Sequence, residues 1–62
     1  MIAQYIAAFT RCYPAWIVNV VRKFNKQGNL VGYRVLLNGD DGGMLLSAND
    51  LVEATREFNR GR

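Results

Sequence analysis

The chain has 62 residues, half of them hydrophobic, with a formal net charge of +3, one cysteine and no histidine. This length predicts a single small domain over residues 1–62, with a core too small to bury all of its apolar side chains. A lone Cys12 excludes an internal disulfide and, without histidine, a tetrahedral Cys/His metal site within one chain. No cofactor-binding motif is present, so we expect no cofactor.

The first element is predicted to be a helix over residues 2–12, because Ile2, Tyr5, Ile6 and Phe9 recur at helical spacing. A strand is the alternative, since several of these residues also suit β structure. Pro14 ends the element in either case. This segment lacks the basic start and unbroken apolar core of a signal peptide, and no run is long enough to span a bilayer. We therefore expect a cytoplasmic protein without a membrane partner.

Residues 15–25 and 30–38 are predicted to form a β-hairpin that turns at Gln27 and Gly28. This register sets four residues of the first strand opposite four of the second, and the opposed residues share one face of the sheet. The predicted pairs are Val18 with Leu37, Val20 with Val35, Arg22 with Tyr33, and Phe24 with Val31.

Turn-forming residues over 38–43 predict a loop, followed by a short third strand at residues 44–46. A last helix is expected over residues 48–59, because Ser47 and Asp50 have the spacing of a capping box. The predicted fold is therefore α+β, in the order α-β-β-β-α. Both helices would cover one face of a three-stranded antiparallel meander. The predicted core is Ile6, Phe9, Trp16, Val18, Val20, Val35, Leu37, Leu46, Leu51, Val52 and Phe58.

The sequence contains few residues suited to catalysis. General acid–base catalysis most often uses histidine, which is absent, and Cys12 has no histidine to activate it as a nucleophile. The acidic residues of the last helix indicate a solvated face, and Asp40 and Asp41 are typical of a turn. We therefore expect that the protein is not an enzyme.

Four basic residues, Arg22, Lys23, Lys26 and Arg34, are the candidate nucleic-acid-binding residues. The register places Lys23 and Arg34 on one face of the hairpin and Arg22 on the other, so they form no single stripe. Phosphate binding through these residues would make the protein a small nucleic-acid-binding protein or transcriptional regulator. That function is the alternative prediction.

The leading prediction is a small non-enzymatic interaction module. The apolar excess favours a homodimer, or a host protein partner of a phage or mobile-element accessory protein. One resemblance points the same way. Residues 17–58 are similar to a group of short uncharacterised bacterial and phage proteins. The shared features are a strand ending in Arg22-Lys23, a turn at Gly28, a third strand after Gly42-Gly43 and a final helix. The resemblance implies a dimer-forming β-β-β-α module and no catalytic residue.

Overall fold

A computed structural model describes residues 1–61 of the chain. The element order is α-β-β-β-α, as predicted, and the three strands form one antiparallel sheet in the spatial order β1-β2-β3. The fold is therefore α+β. The elements are α1 (Ile2–Cys12), β1 (Val18–Phe24), β2 (Leu30–Leu37), β3 (Asp40–Leu46) and α2 (Ala48–Arg60).

The predicted register of the first hairpin is confirmed over most of its length. Val18 pairs with Leu37, and the same register continues to the pair of Arg22 with Tyr33. Beyond Lys23 the register shifts, so that Phe24 pairs with Leu30. The predicted pair of Phe24 with Val31 is therefore wrong, because a bulge adds one residue to the second strand.

The turn of this hairpin also differs from the prediction. The Gly28 N–H donates to the carbonyl of Asn25 at 3.0 Å, which places Lys26 and Gln27 at the centre of the turn. Gly28 follows with a φ of 84°. A three-residue loop that ends in a left-handed glycine is a common hairpin connection. The predicted two-residue turn at Gln27 and Gly28 is therefore wrong.

The second hairpin turns at Asn38 and Gly39, and the predicted loop over residues 38–43 is wrong. Both residues have positive φ, 53° and 86°, as a tight turn of the type favoured by Asn-Gly requires. Strand β3 therefore begins at Asp40 and includes Gly42 and Gly43. A register shift in this part of the sheet accommodates the two glycines.

Both helices pack on one face of the sheet. The buried core joins Tyr5 of α1 and Leu51 of α2 to Val18, Val20 and Tyr33 of the strands. Nine of the eleven predicted core residues are buried or packed against this cluster. Two predictions are wrong: Trp16 is 45% exposed and Val52 is 36% exposed.

The prediction that Trp16 belongs to the core is wrong because β1 begins later than predicted. The Trp16 N–H donates to the carbonyl of Tyr13 at 3.1 Å, which closes a turn through Pro14. Strand β1 therefore begins at Val18, three residues later than predicted. Trp16 thus lies before the strand, and the alternation of strand side chains does not direct it into the core.

Side-chain hydrogen bonds fix both ends of α2, and those at its start were predicted from the sequence. Ser47 Oγ accepts from the Asp50 N–H at 3.1 Å, and Asp50 Oδ2 accepts from the Ser47 N–H at 2.9 Å. This capping box confirms the predicted helix start. At the other end, the Arg11 guanidinium donates to Asn59 Oδ1, and the Cys12 thiol donates to the Phe58 carbonyl at 3.4 Å. The C-terminal ends of the two helices are thereby tied together.

Candidate nucleic-acid interface

The first hairpin extends beyond the rest of the sheet. Strand β3 ends at Leu46, which pairs with Tyr33, so only β1 and β2 continue past this point. We call residues 22–31 the arm. Every residue of the arm is exposed, whereas Tyr33 directly behind it is buried. The molecule measures 40 × 23 × 16 Å, an elongated shape consistent with a projecting hairpin.

Three of the four candidate basic residues lie on the arm. Arg22 and Lys23 are successive strand residues, so their side chains leave opposite faces of the two-stranded ribbon. Lys26 lies at the centre of the turn. Within the described part of the chain, none of the three is in an ion pair. The arm therefore carries three exposed and uncompensated positive charges.

The fourth candidate, Arg34, lies away from the arm. Its guanidinium forms an ion pair with Asp41 at 3.6 Å, across the β2–β3 pairing. Arg34 shares a sheet face with Lys23, as the register predicts, but Asp41 offsets its charge. The structure thus places Arg22, Lys23 and Lys26 together on the arm. Arg34 lies outside the arm, beside Asp41.

The arm carries the whole excess charge of the protein. The chain has eight basic and five acidic residues. Removing the three arm residues leaves five basic residues, which equals the number of acidic ones. No acidic residue occurs before Asp40 in the sequence. Asp40 follows the Asn38-Gly39 turn, at the opposite end of β2 from the arm. The arm itself therefore contains no acidic residue.

The tip of the arm is shaped by one asparagine. Asn25 Oδ1 accepts from the Gln27 N–H at 2.9 Å and from the Asn29 N–H at 3.0 Å. A backbone hydrogen bond from Asn25 to Asn29 closes the loop. Gln27 and Asn29 are exposed, and their side-chain amides make no hydrogen bond within residues 1–61. The amide residues around Gly28 signal this feature in the sequence, but our sequence interpretation did not use it.

The arm also exposes apolar side chains. Phe24 and Leu30 form the pair nearest the turn, on the same ribbon face as Arg22. No helix covers this pair, because the helix layer packs on the sheet behind it. Phe24 is 57% exposed. Apolar and cationic groups thus lie side by side on the arm.

A second exposed surface lies on the side of the sheet that the helices leave uncovered, which we call the open face. By strand alternation it carries Ile17 and Val21 from the first strand region, Leu36 from β2 and Leu45 from β3. Ile17 is 75% exposed and Leu45 is 46% exposed. Leu45 lies over Gly32, where an added Cβ would come within 2.8 Å of its Cγ. The open face is therefore apolar, with the Arg34–Asp41 ion pair among its side chains.

Two acidic side chains of α2 have structural contacts. Asp50 completes the helix cap, and Glu57 accepts from Arg60 at 2.6 Å. Burial raises the pKa of Tyr5 above its ordinary value. Residues 1–61 contain no cluster of three metal-ligating side chains. Within the same residues, no helix has both the length and the apolar character needed to cross a bilayer.

Comparisons of the chain with protein-family models, with curated proteins and with solved structures returned no match. The interpretation of the site therefore depends on its own geometry and charge.

Proposed function

We propose that the protein is a small nucleic-acid-binding module whose arm contacts the phosphate backbone. The observation that carries this proposal is the location of the net charge. All three excess positive charges project on one exposed hairpin, and the rest of the chain is balanced. A polyanion attracts such an element by electrostatics and releases counterions when its phosphates are neutralised.

The function implies no catalysis. Small binding proteins position themselves on nucleic acid through Lys and Arg contacts to phosphates, which need no titratable pair and no cofactor. The amide side chains of the tip and the Phe24–Leu30 pair lie on the same arm as the charges. The arm therefore offers cationic, amide and apolar groups within a single hairpin.

The test is the salt dependence of binding, measured by fluorescence anisotropy with a labelled 20-base-pair DNA. Three phosphate contacts predict that log K falls against log salt with a slope of about −2.7, which is about 40-fold in affinity between 50 and 200 mM salt. The variant Lys23→Gln/Lys26→Gln should lower the magnitude of this slope by about 1.8.

The matched control is Arg56→Gln/Arg60→Gln on α2, which removes the same charge from outside the arm. We expect its slope to equal that of the wild type. An equal decrease in the magnitude of the salt slope in the two variants would show that net charge alone drives binding. That result would contradict a site on the arm. The absence of binding to DNA and RNA at low salt would reject the proposed function.

The second candidate function is a protein-interaction module of a phage or mobile element. The specific observation in its favour is the open face, where Ile17, Val21 and Leu45 are exposed without a covering layer. Exposed apolar surface of this kind often marks a protein interface. A second copy of the chain or a host protein would cover it.

Val21→Thr/Leu45→Thr tests this candidate, since it makes the open face more polar and leaves the arm intact. Sedimentation equilibrium should show self-association in the wild type and its loss in the variant if a homodimer uses this face. For a host protein, pull-down by the wild type and by the Lys23→Gln/Lys26→Gln variant should recover the same partner. A pull-down that recovers only the protein itself would count against a host partner.

A further inference from the structure

We infer that the partner of the arm is duplex DNA in the B form, which the arm enters tip-first through the major groove. This inference depends on the proposed function and goes further, because it names the kind of nucleic acid and the groove.

The dimensions of the arm fit one groove. Two paired strands lie about 4.8 Å apart, and with side chains a two-stranded ribbon is roughly 10 Å across. The major groove of B-form DNA is about 12 Å wide and admits such a ribbon, whereas its minor groove is about 6 Å wide. The major groove of an RNA duplex is deep and narrow and does not admit side chains for readout. The width therefore favours DNA over duplex RNA.

The length of the arm is also sufficient. Only β1 and β2 continue beyond Leu46, and Lys26 at the tip lies four residues past Arg22. At about 3.3 Å per residue, the tip projects roughly 13 Å from that level. The major groove is about 8.5 Å deep. The tip can therefore reach the base edges before the globular part of the protein meets the backbone.

Two of the three basic residues of the arm are placed as tip-first insertion requires. The two phosphate backbones form the two walls of the groove, so a ribbon between them needs cations on both of its faces. Arg22 and Lys23 point to opposite faces. Their failure to form one stripe argues against a flat binding surface and matches a ribbon with a phosphate wall on each side.

The tip carries groups that suit base edges. Gln27 and Asn29 have exposed amides with no internal hydrogen bond among the described residues, since Asn25 alone holds the loop. Side-chain amides pair with the N6 and N7 atoms of adenine in the major groove. Phe24, set back from the tip, can contact a thymine methyl group, which also lies in that groove. These contacts would anchor the tip at the floor of the groove.

The experiment compares four labelled 16-base-pair probes at one salt concentration. They are a DNA duplex, an RNA duplex of the same sequence, the DNA with its minor groove filled by netropsin, and the DNA with glucosylated hydroxymethylcytosines that fill its major groove. We expect at least tenfold weaker binding to the RNA and to the glucosylated DNA, and unchanged binding with netropsin.

Equal affinity for DNA and RNA duplexes, or full binding to the glucosylated DNA, would overturn the inference. A steep salt dependence in that case would leave the proposed function standing. Failure to bind any probe would reject both. The variant Gln27→Ala/Asn29→Ala keeps every charge, so we expect at least threefold weaker DNA binding with an unchanged salt slope. Unchanged affinity in this variant would also overturn insertion of the tip.

Discussion

Replacement of Leu51 by alanine should strongly destabilise this protein, because its buried core is small. Leu51 is 0% exposed and contacts the cluster formed by α1 and the sheet. A Leu→Ala change at a fully buried site costs about 2 to 5 kcal/mol, from lost transfer free energy and the cavity that remains. The total free energy of unfolding of a 62-residue chain is about 3 to 9 kcal/mol. With mid-range values for both quantities, the substitution removes about half of the stability.

The assay is urea unfolding followed by far-ultraviolet circular dichroism. With a denaturant slope of about 1 kcal/mol per M, the midpoint should fall by about 2 M or more. Val52→Ala is the matched control, because the neighbouring side chain is 36% exposed and its truncation should cost under about 1 kcal/mol. Equal midpoint shifts in the two variants would refute the packing described for α2.

Two further predictions concern the turn and the core. Gly39→Ala should lower the free energy of unfolding by about 1 to 2 kcal/mol, because the residue has a φ of 86° and no added contact would offset the strain. Gly42→Ala, whose φ is not positive, is the control in thermal unfolding, and an equal loss there would contradict the assigned turn. Burial raises the pKa of Tyr5 above 10.0, so the folded chain holds the phenolic proton at pH values where the unfolded chain releases it. Stability should therefore fall as the pH rises above about 10. Tyr5→Phe should show a smaller fall between pH 8.5 and 11 in urea unfolding, and an identical fall would show that Tyr5 is not responsible.

The order of elements could be predicted from the sequence because it depends on local signals. The stripe of Tyr5 and Phe9 at helical spacing, and the capping spacing of Ser47 and Asp50, each specify an element without reference to distant residues. Most of the β1–β2 register was also predicted correctly, because a slip of one residue would move Val18, Val20 and their partners to opposite faces.

The errors arose where one extra residue or one turn type decides the geometry. The bulge opposite Lys23 shifted the pairing of Phe24, and alternation alone contains no signal for it. The Asn38-Gly39 turn was missed because further turn-forming residues follow it in the sequence. Asn-Gly is nevertheless the strongest short hairpin signal. Asp40 and Gly42 are poor strand formers that pair because this turn places them beside β2.

The candidate site was predictable as a set of residue types but not as a location. The sequence identifies the basic residues, but the separation of Lys26 from Arg34 depends on where β3 ends and on the position of Asp41. The projection of the arm is likewise a property of the whole sheet. No local pattern predicts how many residues of a hairpin remain without a third strand.

The most direct test of the binding site is an NMR titration of the ¹⁵N-labelled protein with an unlabelled DNA duplex. The proposal predicts that the chemical-shift changes of backbone amides concentrate in residues 22–31. The amide resonances of α2 and of the open face should not change. Shifts centred on Val21, Leu36 and Leu45 with the arm unmoved, or no shifts at low salt, would contradict a nucleic-acid interface on the arm.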